Sequence, residues 1–65
     1  MVLHAYGLTR REAQVAGAAL QGKPNKAVAR ELRISENTIE DHVKSIFTKV
    51  GVASRGELAA RILAE

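Results

Sequence analysis

Cysteine does not occur among the 65 residues. Disulfides and thiolate metal sites are thereby excluded, and the chain suits a reducing cytoplasm. Tryptophan is also missing, and the only aromatic rings are Tyr6 and Phe47. So few rings leave nothing from which to build an RNA-stacking sheet or an aromatic single-strand groove. Apolar runs are a few residues long at most, so none spans a membrane, and no signal-peptide pattern opens the sequence. Repeats and low-complexity segments are absent. No Ser/His/Asp or paired-carboxylate arrangement can be drawn, and so small a bundle has little space for a water-excluding pocket, so an enzyme is not expected. His4 and His42 lack cysteines or spaced carboxylates around them, which argues against a metal, and no cofactor is expected.

What is present is helical. Alanine is abundant and proline occurs once, at Pro24, which favours an all-α domain packed through small side chains. A chain this short buries only about 60% of its unfolded surface, so its helices must be well formed or partnered. Thr9-Arg10-Arg11-Glu12 and Ser54-Arg55-Gly56-Glu57 both match the capping box, in which a hydroxyl and a glutamate satisfy each other's backbone amides. Four helices follow, at about 10–21, 26–32, 36–49 and 55–64. Gly22 ends the first, Pro24 forbids its continuation and Asn25 is placed to cap the second. Ser35 caps the third, with Ile34 and Ile39 as a hydrophobic staple, and Gly51 ends it. Ile39, Val43, Ile46 and Val50 form one apolar stripe. Val15, Ala16, Ala19 and Leu20 form another, followed by Val28, Ala29 and Leu32, and by Leu58, Ala59, Ile62 and Leu63. None of these helices is stable alone, so the stripes must close one core.

Residues 25–51 carry the functional signal. Two helices joined by a tight turn, the second longer and polar on its outside, have the layout of a helix-turn-helix that lays its second helix in the major groove of DNA. The net charge of +3 is a mild invitation to nucleic acid. Its placement is uneven: residues 23–35 hold Lys23, Lys26, Arg30 and Arg33 against Glu31, whereas residues 36–50 hold Glu36, Glu40 and Asp41 against Lys44 and Lys49. The candidate recognition helix is therefore slightly acidic.

The ordered set LTRRE at 8–12, Gly22, NKAVA at 25–29, Leu32, Ile34-Ser35, Thr38-Ile39, His42, Ile46, Lys49, Gly51, Ser54-Arg55 and Glu57-Leu58 resembles the LuxR-type (GerE-type) helix-turn-helix of bacterial transcription regulators. The resemblance covers residues 8–63 without a gap. It implies a four-helix domain with a central helix-turn-helix over residues 8–65, binding double-stranded DNA to regulate transcription in the bacterial cytoplasm. It further implies a third helix in the major groove and a fourth that pairs with its counterpart in a DNA-bound dimer. Such domains commonly follow a sensor or receiver domain, and residues 1–7 resemble the end of the intervening linker. An excised domain is the favoured origin, with a small stand-alone regulator as the alternative.

With the apolar stripe turned inward, helix three presents Asn37, Glu40, Asp41, Lys44 and Thr48 outward, at neighbouring positions on one face. Among them Asn37, Glu40, Asp41 and Lys44 are the candidate base readers. The resemblance places readout mainly at Glu40 and Lys44, helped by Asp41, although many family members carry a basic or amide side chain where this chain has Glu40. Three accounts of the acidity stay open. A carboxylate can accept from a cytosine amino group. Glu40 can instead pair with Lys44 and hold it for guanine or a phosphate. Or the face is a solvated one that weakens binding.

Phosphate contacts are expected from Lys23, Asn25 and Lys26 at the start of helix two. Thr38 and Lys49 join them by resemblance, and Arg55 stands at another helix start. These would orient the domain without reading sequence. Glu12 reads as a capping residue, and His42 as a packed or hydrogen-bonded imidazole. Helix four leaves Ala59, Ala60 and Leu63 for a weak dimer that tightens on DNA. Rival readings are a helical protein-interaction module, for which the acidic face is suited, and a sigma-type promoter reader. Arg33 stands where helix-turn-helix sequences commonly have glycine.

Overall fold

The computed structural model describes residues 6–64, and the expected linker remnant and His4 lie largely outside that range. Among the described residues the chain forms four α-helices and no strand: α1 (Arg10–Leu20), α2 (Asn25–Leu32), α3 (Glu36–Val50) and α4 (Arg55–Leu63). Among the described residues no helix is long and apolar enough to cross a membrane.

Capping chemistry decides where each helix begins. Thr9 Oγ1 accepts from the Glu12 amide at 3.1 Å while the Glu12 carboxylate accepts from the Thr9 amide at 2.8 Å, a complete capping box. Ser35 Oγ accepts from the Thr38 amide. Ser54 Oγ accepts from the Glu57 amide, but the reciprocal bond expected there is displaced: Glu57 takes the Ala53 amide at 2.6 Å instead. Asn25 does not cap α2. Pro24 does, through its carbonyl, which accepts from the Ala27 and Val28 amides, and Asn25 is the first helical residue. Proline has no amide to satisfy and its fixed φ suits a helix entrance, so the side chain of Asn25 is released for another use.

The first three helices end in left-handed turns. Gly22 has φ +81°, with the Lys23 amide bonded back to Ala18 and the Gly22 amide to Ala19, so the first helix stops one residue earlier than expected. Gly51 closes α3 in the same conformation. Arg33 closes α2 with φ +58°, the one non-glycine residue at positive φ among those described. A Cβ in this region costs about 1–2 kcal/mol.

The core joins Leu8, Val15, Ala16, Val28, Ala29, Ile39, Ile46, Val50, Leu58 and Ile62. Burying each of the larger side chains stabilises the fold by about 1.5–3 kcal/mol. α3 packs against both α1 and α2, and α1 also packs against α4, so the third helix is held from two sides. Val43 is half-buried at the edge of its stripe. Leu63 departs from the expected α4 stripe: it is 81% exposed, because Leu58 and Ile62 already fill the inward face.

Candidate nucleic-acid interface

The inward stripe of α3 leaves a continuous outer face. Asn37, Glu40, Asp41, Lys44 and Thr48 are all exposed, and their spacing of three or four residues sets them side by side. Thr48 turns its hydroxyl to the Lys44 carbonyl at 3.0 Å. The side chains of Asn37, Glu40, Asp41 and Lys44 make no hydrogen bond or ion pair among the described residues. The Glu40–Lys44 pair, one of the three accounts of the acidity, is therefore not formed. An exposed i, i+4 pair is worth only about 0.3–0.5 kcal/mol, too little to hold two long side chains in one geometry. What remains is a row of unpaired donors and acceptors on a rigid helix.

Behind that face, α3 is fixed by a polar cluster that spacing alone did not reveal. Glu12, on α1, is 5% exposed. Its carboxylate accepts from Lys49 Nζ at 2.6 Å and from Ser45 Oγ. Lys49 also donates to the Gly7 carbonyl at 3.3 Å. The Lys49 ammonium, then the Ser45 hydroxyl and the Thr9 amide hold the Glu12 carboxyl down at about 2, against burial, which opposes them. A sequence signal for the burial exists: Glu12 falls in register with Val15, Ala16 and Ala19 on the inward face of α1.

The expected phosphate-contacting residues are distributed unevenly. Lys26 is exposed and has no hydrogen-bond or ion-pair partner for its side chain among the described residues. Lys23 is ion-paired to Glu31 at 2.7 Å across two exposed side chains. Arg55, at the start of α4, donates to the Lys23 carbonyl at 3.1 Å and to Asn25 Oδ1. The structure thus gathers Lys23, Asn25 and Arg55 where α2 and α4 begin. Lys49 lies apart, at the end of α3 beside α1, with its ammonium turned to Glu12. Thr38 shares its hydroxyl with Ser35 Oγ at 2.9 Å, inside the cap of α3.

His42 is half-buried beside Val43, and no group of three potential metal ligands occurs among the described residues. On α4, Ala59 is half-buried whereas Ala60 and Leu63 are exposed.

Comparison with known proteins gives a coherent result. The family model for bacterial regulatory proteins of the luxR family (GerE) matches residues 6–62. The chain is 41% identical over 54 residues to the monoamine regulon transcriptional regulator of Klebsiella aerogenes, covering 83% of this chain and 24% of that protein. It is 44% identical over 54 residues to the uncharacterised transcriptional regulatory protein YhcZ of Bacillus subtilis, covering 83% of this chain and 25% of that protein. The HTH-type transcriptional regulator MalT of Yersinia pestis is 42% identical over 50 residues, or 77% of this chain and 6% of MalT. The chain therefore spans a quarter or less of the curated relatives it matches. No solved structure gives a significant match.

Proposed function

The chain belongs to the luxR family of bacterial regulatory proteins, and from that premise we propose that it binds double-stranded DNA sequence-specifically and so regulates transcription. The observation that carries this reading is the outer face of α3, exposed along its length and, among the described residues, unpaired at the side chains of Asn37, Glu40, Asp41 and Lys44. α3 enters the major groove. Lys44 donates to guanine O6 and N7, and Glu40 or Asp41 accepts from the cytosine amino group, the one exocyclic donor of that base in the groove. The absence of a Glu40–Lys44 pair leaves both groups available for bases. Lys26 and the start of α2 meet phosphate.

A few contacts from one copy give weak, salt-sensitive binding, so useful affinity calls for two copies on adjacent half-sites. The exposed Leu63 and Ala60 of α4 form the face through which the second copy pairs. Residues 8–65 act as the DNA-binding domain of a cytoplasmic regulator, with residues 1–7 leading from a sensor or receiver domain. The greater length of the matched regulators supports that arrangement. No catalytic role is assigned.

The test is a salt-titrated fluorescence anisotropy measurement on mixed-sequence duplexes. Binding that weakens steeply as salt rises is expected. If no duplex is bound at low salt, even at high micromolar protein, the acidic face of α3 belongs to a protein-interaction module instead.

A further inference from the structure

Several cations expected at phosphates are already engaged within the fold: Lys49 by Glu12, Arg55 by Asn25 and the Lys23 carbonyl, and Lys23 by Glu31. The outer face of α3 is acidic at Glu40 and Asp41, which repels a phosphate backbone. If this helix sits in a groove, the attraction that holds it there must come from elsewhere.

Lys26, Arg30 and Arg33 are all exposed, and their side chains make no hydrogen bond or ion pair among the described residues. Lys26 and Arg30 fall at i and i+4, which places them on one flank of α2, and Arg33 follows at the turn that closes the helix. Glu31 occupies the other flank, where it pairs with Lys23 and lines a groove against Gln14 and Gly17 of α1. The basic stripe therefore looks away from α1. Its last member is the strained one. The turn between α2 and α3 requires only a left-handed backbone, which glycine adopts freely, yet Arg33 is held there at φ +58°. The guanidinium is what glycine would not supply.

Resting on the DNA-binding reading above, we propose that Lys26, Arg30 and Arg33 form a phosphate-binding stripe, in which Arg30 and Arg33 supply backbone contacts that hold the acidic helix in the groove. The first helix of a helix-turn-helix crosses the DNA backbone, so charge along its flank and at its closing turn offsets the repulsion from Glu40 and Asp41. These contacts orient the domain and read no bases.

The test measures anisotropy on a mixed-sequence duplex over a range of salt for the unaltered chain, R30Q, R33G and the double variant. R33G preserves the left-handed turn, and urea denaturation checks that it folds at least as stably as the parent. Each substitution is expected to reduce the steepness of the log–log salt dependence by about one, and the pair by about two, with weakening uniform across sequences. A double variant with the parental slope and affinity overturns the proposal. So does a double variant that binds DNA as the parent does but no longer binds polyglutamate, which would assign the stripe to an acidic protein surface. Failure of the unaltered chain to bind any duplex at low salt would instead remove the DNA-binding reading, and the stripe with it.

Discussion

Lys49 Nζ lies 2.6 Å from Oε1 of Glu12, which ties the last turn of α3 to the first turn of α1. Ser45, one turn earlier on α3, donates to the other carboxylate oxygen. One buried carboxylate thus grips the proposed recognition helix at two points on the side turned away from its exposed face. The apolar stripe sets the depth of α3 in the bundle, and Glu12 helps to fix its rotation.

Replacement of Glu12 by Gln removes the charge that Lys49 and Ser45 address, and is expected to lower stability at neutral pH by about 1–3 kcal/mol. The carboxyl is held at about 2 against an ordinary 4.5, so its contribution is fully present above pH 4.5 and is lost as pH falls towards 2. Urea denaturation of both proteins across that range should show their difference shrinking as acid is added. A constant difference would mean that the carboxylate charge is not what stabilises the cluster.

Arg33→Gly relieves a left-handed residue whose side chain makes no hydrogen bond or ion pair among the described residues. Glycine regains freedom in the unfolded chain, which offsets part of the gain, so a net stabilisation of about 0.5–1 kcal/mol is expected. The check is an upward shift of the urea midpoint with an unchanged slope. A fall in the midpoint would show that the guanidinium contributes to folding.

At Lys44, truncation to alanine is expected to cost about 1–3 kcal/mol of specific affinity with little effect on folding, because the side chain is exposed and unpaired among the described residues. Glu40→Gln should change the preferred sequence. A uniform gain across all duplexes would instead identify Glu40 as a source of repulsion alone.

Leu63→Glu tests the proposed pairing through α4. Leu63 is 81% exposed, so the substitution should leave stability within about 0.5 kcal/mol. Occupancy of a single half-site should be preserved while cooperative occupancy of two is lost in a gel-shift titration. Unchanged cooperativity would place the dimer contact elsewhere.

Much of this was legible in the residues. Thr9, Ser35 and Ser54 announced three helix starts, because capping is local chemistry written over four positions. Gly22 and Gly51 marked two ends for the same reason. The exposed face of α3 followed from Ile39, Ile46 and Val50, since a helix with one buried stripe has a determined outside. Asn25 was misplaced by one residue because Pro24 and Asn25 are both suited to a helix entrance. The long-range polar contacts were not legible. Glu12 meets Lys49 across 37 positions and Arg55 meets Asn25 across 30. Such pairs depend on how the helices are oriented, which periodicity does not encode. They also decide which cations remain free for DNA, so the charge map of the sequence could locate the basic segment without identifying its available members.

The most direct test of the account is enrichment of a randomised duplex pool on the chain, run in parallel on Lys44→Ala. The unaltered chain is expected to select a recurrent motif containing G or C at the positions facing Lys44 and Glu40, and Lys44→Ala should lose preference at one of them. Selection of no motif, or of the same motif by both proteins, would contradict readout through the outer face of α3.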